Sequence, residues 1–161
     1  MPNTLCSSRE KLYLVESAGD LLVVLGYVKC KGNCSELYNR TYHIRNYSLT
    51  TTSFRVFEVP FGDCSEYSEV KNLGNRSLFL SARSASFSVD ASYCGCQANC
   101  IYFTDDNSQY LEEGGVMDMG IFDMQDRKIK RNLGETCGFG GGKPYKFQQR
   151  HLWIQVIQSS L

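Results

Sequence analysis

The chain has 161 residues, 42% of them hydrophobic and 21% charged, which is the balance of a folded domain and excludes a disordered one. Its 17 Lys and Arg residues cancel its 17 Asp and Glu residues, which excludes a general electrostatic affinity for nucleic acid or anionic membrane. The longest apolar run, residues 21–25, is far short of the ~20 residues a spanning helix needs.

Residues 1–11 read as an N-terminal tail. Arg9, Glu10, Lys11, Glu16 and Asp20 interrupt any secretory h-region, so an intracellular place, cytoplasmic or nuclear, is expected. Residues 12–16 (LYLVE) and 21–28 (LLVVLGYV) flank Ser17-Ala18-Gly19-Asp20, the pattern of a short-looped hairpin. The second run is apolar on both faces for several residues, which puts it deep in a sheet. Residues 29–52 are polar and read as a long loop with a weak strand near 42–45. Residues 54–59 (FRVFEV) alternate, with Phe54 and Val56 sharing one side. The turn signal Pro60-Phe61-Gly62-Asp63 ends that strand, and residues 67–70 (YSEV) return as its partner.

Residues 77–82 (SLFLSA) and 86–91 (SFSVDA) make a further pair across a short loop, Phe87 and Val89 pointing one way. Residues 86–125 read as paired strands joined by a Cys- and Gly-containing turn, with CIYF at 100–103 strongly β-prone. Residues 120–124 (GIFDM) and 128–130 (KIK) pair across Gln125-Asp126-Arg127. A Gly-rich stretch, 133–142, precedes a last apolar strand at 152–157 (LWIQVI). No segment sustains a helical period. Short strands at regular spacing argue for an all-β sandwich, barrel or propeller. The strands within 12–70 make one antiparallel meander, and those within 78–130 a second unit.

Charge is uneven along the chain. Asp105, Asp106, Glu112, Glu113, Asp118, Asp123 and Asp126 are followed by Arg127, Lys128, Lys130, Arg131, Lys143, Lys146 and Arg150. Such a pattern reads as solvated loops and strand edges, or alternatively as a docking surface.

Motifs for chemistry are few. Cys94, Cys96 and Cys100 give C-x-C-x3-C, and Cys30 and Cys34 give C-x3-C, which makes zinc the main alternative reading. Against it stand reduced cysteines packed in turns and cores, since no secretory signal argues for an oxidising compartment. By the same reasoning the sequons at Asn33, Asn39, Asn46 and Asn75 carry no glycan. GFGGGKP (138–144) departs from a phosphate loop, with Cys137 where a Gly belongs and Pro144 after the lysine. Asp105, Asp106 and Asn107 open like a calcium loop, but Tyr110 and Val116 stand where Gly and Glu are required. His43 and His151 are isolated, and no nucleophile motif accompanies them. No catalytic or cofactor-binding residue is assigned.

Three blocks carry a resemblance. They are YLVESAGDLLVV (13–24) with FRVFEV (54–59), then EVKNLGNRSLFLSARSASFSVDAS (69–92), then GCQANCIYFTDD (95–106) with DMGIFDM (118–124). Together they resemble the plant F-box-associated β-propeller domain of KIB type, formerly a domain of unknown function and distantly kelch-like. LWIQ (152–155) resembles that domain's closing strand. The resemblance runs from about Leu12 onward, so residues 12–161 are expected to form an all-β partial β-propeller. About two four-stranded antiparallel blades and a closing strand are implied. It includes a Cys at position 100 at a strand start, which favours a packed thiol over zinc.

The implied role is a non-enzymatic protein–protein interaction module, the substrate-recruiting propeller of an F-box protein in a ubiquitin ligase. The alternative is a small zinc-stabilised β-rich module held by Cys94, Cys96 and Cys100. Family members carry helices of an F-box ahead of a ring of blades, and a ring takes 4–8. Here no such helices precede Leu12, so a truncated C-terminal part is expected. It would meet a ligase-core adaptor only if an F-box lies upstream. Loops 29–52 and 104–118 are the expected contacts with an unknown protein partner.

Overall fold

Alternating burial organises the first sheet. Strands β1 (Arg9–Ser17), β2 (Asp20–Gly32), β3 (Tyr47–Glu58) and β4 (Ser68–Val70) lie in that order, each antiparallel to the next. The expected meander is therefore present. The computed structural model describes residues 9–32, 47–62, 66–81, 85–104 and 118–131, and the side chains at 30–32 and 47–49 lie outside the description. The closing strand at 152–157, the weak strand at 42–45 and the Gly-rich stretch at 133–142 lie outside the described residues.

The β1–β2 hairpin turns on two residues. Ser17 pairs with Asp20, and Ala18 and Gly19 between them have φ of 54° and 92°. Positive φ at both central positions gives the mirror-image turn whose twist matches that of the flanking strands. Glu16 Oε1 accepts from the Gly19 N–H at 2.9 Å and fixes it. β2 sits between β1 and β3, as its two apolar faces require.

The polar segment 29–52 holds more strand than expected. β2 runs on to Gly32 and β3 begins at Tyr47, so the ladder includes Val28–Thr51 and Lys29–Thr50. The register shifts at Tyr27/Val28, skipping Thr52, whose Oγ1 donates to the Tyr27 carbonyl at 3.1 Å. A bulge with β-branched threonines around it lets a polar stretch stay extended, because the strand backbone needs pairing and not apolarity.

The second sheet departs further from expectation. It contains β5 (Arg76–Ser81), β6 (Phe87–Asp90), β7 (Cys100–Thr104), β8 (Met119–Asp123) and β9 (Ile129–Lys130), in the order β6-β5-β7-β8-β9. β5 pairs antiparallel with β6 but parallel with β7. This sheet is mixed and five-stranded, not a four-stranded antiparallel unit. β6 and β7 are not neighbours, so the expected direct pairing across a Cys–Gly turn does not occur. Parallel neighbours need a crossover of a dozen or more residues. Residues 82–99 supply it, carrying β6 and a single helical turn, α1 (Ala91–Cys94). Asp90 caps α1 by accepting from the Ser92 N–H at 2.9 Å, and Gly95, at φ 63°, ends it. Four residues are too few to print a helical period on the sequence.

The two sheets pack face to face. Tyr13, Val15, Leu22, Val24, Phe54 and Val56 from the first meet Leu78, Leu80, Ile101, Phe103, Phe122 and Met124 from the second. Phe54 lies at the centre, its ring centroid 5.0 Å from Phe103 and 5.6 Å from Phe122. Gly26, paired with Phe54 across the ladder, makes room for it. A Cβ on Gly26 would stand 2.9 Å from Phe54 Cε1. Gly26→Ala is therefore expected to destabilise by about 1–3 kcal/mol through overpacking, read as a lower urea midpoint at unchanged slope.

The far face of the second sheet carries an aromatic ladder. Phe79 on β5 is in register with Phe87 on β6 and Tyr102 on β7. The rings stack at 5.1 and 4.6 Å. On the far face of the first sheet, Leu12 and Leu14 of β1 stand 65% and 57% exposed beside their partners Leu25 and Val23. Among the described residues no helix is long and apolar enough to cross a membrane.

Candidate functional site

Three arginines hold the seam between the sheets. Arg127, in the β8–β9 turn at φ 57°, reaches across to β3. Its Nη2 donates to the Phe54 carbonyl at 2.9 Å, and its guanidinium lies 5.4 Å over the Phe122 ring. Arg131, beyond β9, donates from Nη2 to the Thr51 carbonyl and from Nη1 to Asp118 Oδ1 at 2.9 Å. The other Asp118 oxygen accepts from the Thr51 N–H at 2.9 Å and from the Thr51 hydroxyl. Arg76 on β5 bridges Ser17 of β1 at 3.1 Å and Ser88 of β6 at 2.8 Å. The expectation of solvated charge is thus corrected at Asp118 and holds at Arg131, which is exposed. Asp118 is buried and Arg131 is its ion partner, while Arg127 is exposed with its guanidinium over the Phe122 ring.

A cavity of about 640 Å³ opens at the Arg127 end of this seam. Arg55, Glu69, Lys71 and Asn72 line it from the first sheet and its exit, and Asn99, Met124, Gln125 and Arg127 from the second. Arg55 forks onto Glu69 through Nε at 2.9 Å and Nη2 at 3.0 Å, and lies 4.9 Å over the Phe57 ring. Hydrogen bonding from Arg55 holds the Glu69 carboxyl below the usual carboxylate range, with Lys71 and Arg127 adding their fields. Hydrogen bonds to Glu69 and then to Tyr27 raise the Arg55 guanidinium above its ordinary value. Lys71 makes no ion pair among the described residues.

Asn99 ties the walls together. Its backbone takes φ 57°, a conformation that Asn tolerates better than most residues. Its side-chain Oδ1 accepts from the Leu73 N–H at 2.8 Å. Its own N–H donates to the Arg76 carbonyl at 2.9 Å, and its carbonyl accepts from the Met124 N–H at 3.1 Å. Asn72 Oδ1 accepts from the Gly74 N–H at 2.7 Å. The meeting of the Asn72–Asn75 turn with Asn99 depends on the parallel crossover, which no local sequence pattern announced.

The structure sets the three cysteines of the C-x-C-x3-C pattern in two places. Cys94 and Cys96 are joined as a disulfide, a departure from the expectation of reduced cysteines throughout. Cys100 is a free thiol at the start of β7, buried among Phe79, Tyr102 and Ile121. Among the described residues no group of three or more His, Cys, Asp or Glu side chains gathers to hold a metal. Cys34, Cys64, Cys137, His43 and His151 lie outside the described residues, as do positions 33–46 and 105–117 of the two expected contact loops.

Burial pushes the Cys100 thiol up to about 11 from its ordinary value of 9.0. The fold thus favours the protonated form. Its contribution to stability is full below the ordinary value and is lost as the pH rises towards 11. Cys100 is expected to resist iodoacetamide at pH ~8 in the native chain and to react once the chain is unfolded, read by intact mass.

Two β-sheets packed face to face along a shared apolar seam suit a sandwich or adjacent blades of a propeller. The chain belongs to the KIB1-4 beta-propeller family, whose model matches residues 1–123. It is 34% identical over 110 residues to F-box protein At4g35733 of Arabidopsis thaliana, an alignment that covers 65% of this chain and 27% of that protein. The matched part spans about a quarter of that relative's length. No solved structure gives a significant match. The family read from the blocks at 13–24, 54–59, 69–92, 95–106 and 118–124 is the family found, while 152–155 lies beyond the match.

Proposed function

We propose that the chain is a non-enzymatic protein-interaction module acting inside the plant cell, where it binds proteins destined for a ubiquitin ligase. The seam cavity carries this reading. It lies between two blade-like sheets, is walled by both, and is lined by charged side chains and by two amides, Asn72 and Asn99, anchored to the backbone. Family membership and the likeness to part of an F-box protein support this reading. Recruitment of the ligase core would require an F-box in the same polypeptide.

The test is proximity labelling in plant cells with the 161-residue chain as bait, comparing wild type with Lys71→Glu at the cavity rim. Proteins labelled by the wild type and lost in the variant are the expected partners, and they should accumulate when the proteasome is inhibited. Identical labelling by both chains, or labelled proteins whose abundance ignores proteasome inhibition, would remove the cavity or the ligase context respectively.

A further inference from the structure

We infer that the seam cavity accepts an acidic side chain from an unstructured segment of a partner polypeptide. The inference rests on the interaction reading and adds the chemistry of the partner. Four observations converge on it.

First, the charge at the rim is unbalanced. Three cations, Arg55, Lys71 and Arg127, face a single lining carboxylate, Glu69, which Arg55 holds through two hydrogen bonds while Lys71 and Arg127 act on it only through their fields. Only one Arg127 N–H, on Nη2, goes to a described protein acceptor, the Phe54 carbonyl. Second, the amides are oriented. Asn72 and Asn99 each accept a backbone N–H on the side-chain oxygen, which fixes the NH₂ end of each as the donor left for a ligand. Donors therefore outnumber acceptors on the walls, and an anion with several acceptor sites is the complement.

Third, Met124 is the one apolar side chain in the lining, and it is buried in the inter-sheet core. Only its edge reaches the cavity, an apolar point that the methylene stem of Glu or Asp can touch while the carboxylate meets the cations. Fourth, Glu69 also lines the wall, and a second, dianionic charge beside it is disfavoured. A singly charged carboxylate suits this site better than a phosphate. The volume, about 640 Å³, holds several side chains, so a peptide segment and not a lone ion is the fitting occupant.

The test pans a random peptide library displayed on phage against the whole chain, then measures the selected peptides and a fluorescent hexaglutamate by anisotropy. Lys71→Glu is the cavity variant. Lys29→Glu, the same charge change outside the cavity lining, is the control. Expected are peptides enriched in Asp and Glu whose affinity falls about tenfold or more with Lys71→Glu and stays within about twofold with Lys29→Glu. Selected peptides without acidic enrichment, or acidic peptides that bind both variants equally, overturn the inference and leave the interaction reading standing. A phosphoserine peptide that outbinds its glutamate counterpart by about tenfold also overturns it, in favour of phosphate. If no peptide is selected, the interaction reading fails with it.

Discussion

Truncating Phe54 to alanine is expected to lower the free energy of unfolding by about 3–5 kcal/mol, a large share of the roughly 5–15 kcal/mol that holds a domain together. Phe54 is 1% exposed and contacts aromatic rings from two strands of the opposite sheet. Gly26 has already given up its side chain to the Phe54 ring, so little can move in to fill the void. The cost should therefore sit at the upper end of the range. Phe54→Leu keeps most of the volume and should cost about 1–2 kcal/mol. Urea unfolding followed by far-UV circular dichroism measures both. A loss below about 1 kcal/mol for Phe54→Ala would mean that the two sheets do not share this core in solution.

The second large effect concerns Asp118. Its carboxylate is buried and accepts from the Thr51 N–H, the Thr51 hydroxyl and Arg131. Asp118→Ala strands the Thr51 donors and removes the ion partner of Arg131. Breaking a buried pair typically costs ~3–5 kcal/mol. Here Arg131 is 40% exposed on its side chain and can turn to water, so about 2–3 kcal/mol is expected. Arg131→Ala should cost less, and the double variant should cost less than the sum by about 1 kcal/mol or more. A double-mutant cycle by chemical denaturation reads this directly; strict additivity would dissolve the network into independent contacts.

The first sheet was legible because its signals are local. Alternation in FRVFEV, the Ala18-Gly19 turn and the two-faced run at 21–28 each follow from neighbours in sequence. The second sheet hid its order. Phe79 finds Tyr102 through a parallel pairing across a crossover, and no short-range pattern distinguishes that from a hairpin partner. The cavity was illegible for a related reason. Lys71, Asn99 and Arg127 are ordinary turn residues until the crossover brings three loops to one end of the seam. Asp118 and Arg131 were read as solvated charge because sequence shows valence and not surroundings. Their pairing buries one of them. Cys94, Cys96 and Cys100 offered metal-like spacing, which in the fold serves a capped helical turn and a strand start.

The two guanidinium groups that end on β3 have a consequence for recognition kinetics. Arg127 holds the Phe54 carbonyl and Arg131 the Thr51 carbonyl, three residues apart along one strand. Two anchors on one strand, both thrown from the opposite sheet, suppress sliding and twisting of one sheet against the other. If the seam binds a partner as proposed, the two anchors should leave its walls little rearrangement to make on binding. In that case affinity differences among partners should appear mainly in how slowly they leave, with arrival rates set by charge and nearly constant.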